Sequence, residues 1–189
     1  MLGPFALFAK HLDEQTAADR HLADAVLDRY VGGTDNFNAE HIFNISDMLT
    51  DAFFWFGVDR FVQYQVEFGQ RNTFQYLNHH KNDAYHVIDW AIPGVSHADE
   101  LYLMWNPLLR VHFPLIDEAD IAVSKHMTTM WSNFVKFGNP TPPGQDKSIE
   151  WEPVSKTQKK YLRIQKDPAM EHSQEYSERM EFWYNLGLN

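Results

Sequence analysis

The sequence contains no cysteine, although it has 189 residues. This excludes thiol catalysis, cysteine-ligated metal sites and internal disulfides, because each of them needs a Cys sulfur. Long apolar runs are missing too, and none approaches the roughly 20 residues of a membrane-spanning helix. The apolar start "MLGPFALF" lacks a basic region and a small-residue cleavage site, so we predict no signal peptide in this chain.

Basic residues are scarce as well, since 16 Lys and Arg stand against 26 Asp and Glu, for a formal net charge of −10. An acidic chain without a clustered basic face argues against nucleic acid or an anionic membrane as the main partner. Aromatic residues make up 15% of the chain and apolar residues 44%, which is ample for a packed core. The length suits one domain, or a large piece of one.

Apolar residues at spacings of three and four predict four helices. The second is long, and Gly57 is its predicted point of interruption. In the third, Asp117 and Asp120 suit the first turn, and Gly138 ends the pattern. The predicted helices span residues 13–31, 39–69, 117–138 and 173–186.

Strands are fewer than the helices require. Residues 72–80 and 161–165 read as strands, while 85–92 is ambiguous between strand and irregular chain. Helix and strand alternate, which predicts the α/β class. Sheets average about five or six strands, so either strands have escaped the pattern or the chain is part of a larger domain.

The stretch "GVSHADELYLMW", residues 94–105, brings a Ser and a His together after a Pro-Gly turn. G-x-S-x-A is one residue short of the G-x-S-x-G nucleophile elbow, and on that interpretation Ser96 would attack an acyl carbon. His112 or His126 would then be its base. The order of residues is wrong for an α/β-hydrolase, however, and a solvated loop serine is the simpler interpretation.

His97 is the stronger candidate, because a catalytic histidine in α/β-hydrolases sits on a loop after a late strand. Asp99 and Glu100 could cap the helix that follows. The plain alternative is a solvated loop histidine. A metal site built from His79, His80, His86 and Asp83 is not predicted, since the spacing fits no known ligand set and adjacent strand residues point to opposite faces.

Several stretches resemble, in the right order, the type-B carboxylesterase and cholinesterase family. The segment around His97 looks like the catalytic-histidine loop of that family, and the others resemble its W-x-N-F-x-x-x-G-N-P stretch, its W-x-P-x…Y-L-x-I stretch, its closing helix and the helix behind the histidine loop. They are "ISDMLTDAFFWFGVDRFVQYQ" (45–65), "GVSHADELYLMW" (94–105), "MWSNFVKFGNPTPP" (130–143), "IEWEPVSKTQKKYLRI" (149–164) and "ERMEFWYNL" (178–186).

The resemblance implies the C-terminal part of an α/β-hydrolase fold, made of late strands and packing helices, over residues 1–189 with no separate second domain. It implies carboxylic ester hydrolysis by a Ser-Glu-His triad, with His97 as the only triad member here and with no cofactor or metal. The expected partners are a small-molecule ester and the remaining N-terminal part of the domain, the expected location is extracellular, and this chain alone is expected to be inactive. A neuroligin-like adhesion protein of the same fold, without catalysis, is the alternative.

Overall fold

The structure is a computed structural model that describes residues 17–69, 71–81, 94–105, 117–144, 149–172 and 174–187. The chain divides into two compact units. Residues 1–61 and 174–189 form the first unit, and residues 62–173 form the second.

The first unit is helical in its described part. Helix α1 (Ala17–Val31) ends at Gly32, whose φ of 73° is left-handed and therefore suits glycine. Two 3-10 turns (Thr34–Asn36 and Ala39–His41) lead into α2 (Ile42–Thr50), a π-helical segment (Asp51–Trp55) and α3 (Phe56–Phe68). The residues of α3 from Val62 onward belong to the second unit. Helix α6 (Gln174–Asn185) returns to this unit.

The π-helical segment corrects the predicted interruption at Gly57. The chain stays helical from Ile42 to Phe68, and the irregular turn lies at Asp51–Trp55, before the glycine. A single π turn inside an α-helix inserts one extra residue and rotates the faces that follow. Such an insertion leaves no glycine or proline signal, which is why the sequence pattern misplaces it.

The core of the first unit packs α1 and α2 against α6. The helix predicted over 173–186 is confirmed as Gln174–Asn185, and its apolar residues at helical spacing, Tyr176, Met180 and Trp183, all lie in the core. The fully buried or nearly buried members of this cluster are Val26, Leu27, Val31, Ile45, Met48, Tyr176, Met180 and Trp183.

A buried charge lies within this helical unit. Asp51, on the π turn, is fully buried, and the Arg179 guanidinium donates to both of its oxygens, each at 2.6 Å. The Tyr30 hydroxyl also donates to Asp51, and it accepts the Trp183 indole N–H at 2.9 Å. One carboxylate therefore links α1, the π turn and α6.

The second unit contains a sheet of three short strands, in the order β1-β2-β3. β1 (Tyr76–Asn78) pairs in parallel with β2 (Tyr161–Ile164), which pairs antiparallel with β3 (Ala169–Glu171). The two strands predicted at 72–80 and 161–165 are therefore present but shorter. β3 escaped prediction because its three residues are too few to show a period, and the ambiguous stretch 85–92 lies outside the described residues.

Helix α5 (Glu118–Phe137) confirms the clearest sequence prediction. The Asp117 side chain accepts the Asp120 N–H as an N-cap, and Gly138 ends the helix at a left-handed φ of 65°. Among its apolar residues at helical spacing, Val123, Met127 and Met130 are buried, while Trp131 is half-buried and Phe134 is exposed. The buried side chains join the β2 residues Leu162 and Ile164, with Leu103 and Trp151, in one core.

A short helix, α4 (Asp99–Met104), completes the second unit. Leu103 is fully buried in the core just described, so this helix is packed against α5 rather than loose on the surface. Within the described ranges, the structure contains no helix that is long and apolar enough to cross a bilayer.

Candidate functional site

The residue with the strongest catalytic signal, His97, lies in a tight turn directly before α4. Gly94, Ser96 and His97 are exposed, and the chain reverses at His97 and Ala98. Ala98 has φ 73° and ψ 8°, the one non-glycine residue in the described ranges with a positive φ. Backbone strain of this kind is typical of functional sites, because surrounding contacts must enforce it.

Asp99 closes this turn through hydrogen bonds to both backbone polar groups of Ser96. Its carboxylate oxygen Oδ2 accepts the Ser96 N–H at 2.7 Å, and its own N–H donates to the Ser96 carbonyl at 3.2 Å. The sequence S-x-x-D is the pattern of a helix capping box. The bond of that box in which the side chain of the fourth residue accepts the N–H of the first is present. Asp99 therefore caps the loop that precedes the helix, a more specific role than the expected cap of α4.

The other end of α4 is anchored in the core of the unit. The Ser124 hydroxyl, which is buried on α5, donates to the Leu103 carbonyl at 2.6 Å. This bond satisfies a carbonyl that the last turn of a helix leaves without an intrahelical partner. The turn that contains His97 thus leads directly into a helix that is anchored in the core, so the backbone of this exposed histidine is held in place.

Tyr76 of β1 supports the first turn of the same helix. Its hydroxyl donates to Glu100 Oε1 at 3.2 Å. Burial raises the pKa of Tyr76 to about 12, and the charge of Glu100 acts in the same direction, because both disfavour a second negative charge there.

This pKa gives a prediction for alkaline pH. The raised folded-state pKa means that the native state holds its proton more tightly than the unfolded chain, whose value is near 10. The contribution to stability is present below pH 10 and is lost as pH rises towards 12. Measured by urea denaturation, the free energy of unfolding of Tyr76→Phe should fall less steeply with rising pH than that of the wild type over this window. Parallel curves for the two proteins would contradict the assignment.

The left-handed Ala98 gives a second prediction. A non-glycine residue in this conformation costs about 1–2 kcal/mol, so Ala98→Gly should raise the free energy of unfolding by about 0.5–1 kcal/mol after the added chain entropy is subtracted. The matched control is Ala122→Gly in the interior of α5, which should lower it by about 1 kcal/mol. Two substitutions that destabilise equally in urea denaturation would show that Ala98 is not strained.

The remaining sequence candidates fall into two groups. Ser96 is exposed, and in the described part of the chain no hydrogen bond joins its hydroxyl to the half-buried ring of His126 on α5. His112, the other base considered for Ser96, lies outside the described residues, as do His86 and Asp83 of the metal set.

His79 and His80 go to different surroundings, as expected for neighbours in extended chain. Desolvation lowers the pKa of His79, and the Arg163 guanidinium lowers it further. His80 Nε2 lies 2.6 Å from Oδ1 of Asp120, whose carboxylate is almost fully buried on α5. Sequence reasoning missed this pair, because no local pattern links residues so far apart. Among the described residues, no cluster of acids and histidines suits a metal ion.

The fold and the site define an α/β protein in which a histidine is presented on a fixed turn. Comparison with known proteins gives its family: the profile of the Carboxylesterase family matches residues 5–183. The chain belongs to the carboxylesterase family, whose fold is the α/β-hydrolase fold, and the three-stranded sheet is consistent with part of such a domain.

Curated relatives agree with this family. The chain is 26% identical over 171 residues to the medium-chain fatty acyl-CoA hydrolase precursor of Anas platyrhynchos, covering 89% of this chain and 29% of that protein. It is 31% identical over 127 residues to juvenile hormone esterase of Tribolium castaneum, covering 61% and 21%. It is 26% identical over 129 residues to acetylcholinesterase of Bungarus fasciatus, covering 65% and 20%. The chain thus spans less than a third of these relatives.

Proposed function

We propose that this chain supplies the catalytic histidine, His97, of a serine carboxylic ester hydrolase, as the C-terminal portion of one esterase domain. The observation that carries the proposal is an exposed imidazole on a strained, doubly closed turn within a sequence that matches the family. A general base needs access to its substrate together with a fixed position, and the turn offers both.

The mechanism begins at a serine hydroxyl supplied by another part of the domain. His97 removes its proton as the oxygen attacks the ester carbonyl carbon. His97 then gives that proton to the departing alcohol, which leaves an acyl-enzyme. Water attacks the acyl carbon while His97 accepts a proton from it. His97 then returns that proton to the serine oxygen as the acyl–oxygen bond breaks, which releases the carboxylic acid and the free serine. A Glu on the imidazole and backbone N–H donors around the oxyanion complete the site.

The chemistry of the relatives supports an enzyme over the adhesion alternative. The three relatives described above are named as a hydrolase or an esterase. Their named substrates differ, and we propose a small-molecule carboxylic ester as the substrate class. The mechanism uses no cofactor and no metal, and we propose an extracellular location.

The experiment compares two proteins that contain these residues. The first is the 189-residue chain alone, which should not turn over p-nitrophenyl esters, because no G-x-S-x-G occurs in it. The second, the hybrid esterase, is the Anas hydrolase with its matched segment replaced by this chain. The hybrid should hydrolyse p-nitrophenyl butyrate. A folded but inactive hybrid, or turnover by the chain alone that His97→Ala abolishes, would contradict the proposal.

A further inference from the structure

We propose that Asp99 is the positioning residue of the site: its buried carboxylate holds the backbone before His97 and so fixes where the imidazole stands. The inference rests on the proposed role of His97. His97 is exposed, whereas Asp99, two residues further along the same turn, is only 3% exposed.

Asp99 clamps the backbone of Ser96 through two hydrogen bonds. The Asp99 carboxylate accepts from the Ser96 N–H at 2.7 Å, which is the short distance of a charge-assisted hydrogen bond. The Asp99 N–H donates back to the Ser96 carbonyl. Residue 96 is therefore held at both of its backbone polar groups, and His97 is the next residue along the chain.

The backbone between His97 and Asp99 is strained. Ala98, which joins His97 to Asp99, has the left-handed conformation that L-residues disfavour. A strained turn relaxes unless neighbouring contacts hold it. The Asp99 bonds span this turn and help to hold it, so loss of the carboxylate bond would allow the backbone at residues 97 and 98 to rotate more freely.

Asp99 itself belongs to a helix that is anchored in the core. It opens α4, and the other end of α4 is fixed by the buried Leu103 and by the hydroxyl of Ser124. The carboxylate thus ties the exposed loop at Ser96 to a packed helix and restricts the motion of that loop. Asp99 acts through the backbone and needs no contact with the substrate.

The test uses the hybrid esterase and distinguishes the loss of the hydrogen-bond acceptor at residue 99 from the loss of its negative charge. Asp99→Ala removes the acceptor and should lower kcat by roughly 10- to 100-fold with little change in KM, as expected when a catalytic group is displaced by about an ångström. Asp99→Asn keeps an acceptor oxygen and should recover most of that loss. Activity is normalised to the folded fraction measured by circular dichroism.

A matched control is Asp120→Ala, which removes another buried carboxylate from the same unit. It should reduce thermal stability while kcat per folded molecule stays within about threefold of the wild type. An equal loss of kcat in Asp120→Ala and Asp99→Ala, equal losses in Asp99→Ala and Asp99→Asn, or full kcat in Asp99→Ala would each overturn the proposal.

Amide exchange at Ser96 and the activity of His97→Ala provide two further tests. If Asp99→Ala does not fold, exchange of the Ser96 amide is measured by NMR in the wild-type chain. Protection by about tenfold or more over an unfolded peptide supports the clamp, and exchange at the unprotected rate overturns it. His97→Ala separates this inference from the proposed function: an active His97→Ala hybrid removes the role of His97, whereas an inactive one beside a fully active Asp99→Ala removes the role of Asp99 alone.

Discussion

Replacing His97 with alanine in the hybrid esterase should lower kcat by roughly 10⁴- to 10⁶-fold, the loss that follows when a triad histidine is removed from a serine hydrolase. The serine then has no base at its side, and the leaving alcohol has no acid. Because the ring is exposed at the turn, the substitution leaves no cavity in a core, so the melting temperature should stay within about 2 °C of the wild type.

The controls for this prediction are the other candidates of the sequence. His126→Gln changes a half-buried histidine on α5 and should leave kcat within about threefold of the wild type. Ser96→Ala removes the hydroxyl but keeps the N–H that Asp99 accepts, so it should also retain turnover. Loss of activity in Ser96→Ala and His126→Gln, with activity kept in His97→Ala, would restore the elbow interpretation of G-V-S-H-A and refute ours.

The second large effect is expected in the helical unit, where Arg179→Ala should lower the free energy of unfolding by about 3–5 kcal/mol. The substitution leaves the Asp51 carboxylate fully buried without its bidentate partner. Arg179 also lies over the Trp55 ring, with 5.1 Å between its Cζ and the ring centroid, so a cation–π contact is lost as well.

The pKa shifts in this network agree with a charged pair of Asp51 and Arg179, because the pKa values of Arg179 and Tyr30 are both raised. Burial by itself lowers the pKa of the Arg179 guanidinium, but its bonds to Asp51 outweigh burial and raise it. Burial raises the pKa of Tyr30, and the bond to Asp51 raises it further. The network therefore contains one negative and one positive charge, with a neutral phenol as a third donor.

A matched control is available because Arg179 faces a second carboxylate. Asp47 Oδ1 lies 3.8 Å from the guanidinium, and its side chain is 58% exposed. Asp47→Asn should change stability by less than about 0.5 kcal/mol, since exposed ion pairs contribute little. Urea denaturation of both variants measures the difference. Similar effects for Arg179→Ala and Asp47→Asn would mean that Asp51 is hydrated in solution and that the buried pair is not formed.

The helices and the candidate histidine could be predicted from the sequence because their signals are local. Helix α5 has a capping aspartate, an apolar stripe and a terminal glycine within one continuous segment, and α6 has its buried face at helical spacing. His97 stood out because a turn signal precedes it and an apolar run follows it, which suits an accessible base. The family likewise follows from stretches in order, and residues 5–183 confirm it.

The clamp and the buried pairs depend on residues that only the folded chain brings together. Asp51 meets Arg179 across 128 positions, and His80 meets Asp120 across 40, and no periodicity spans such distances. Asp99 and Glu100 looked equivalent as helix-capping acids, yet Asp99 is buried and accepts from the loop residue Ser96, whereas Glu100 accepts from Tyr76. Periodicity reports which face of an element is apolar, whereas the partner of a buried polar group is decided by packing, because burial without a partner is too costly.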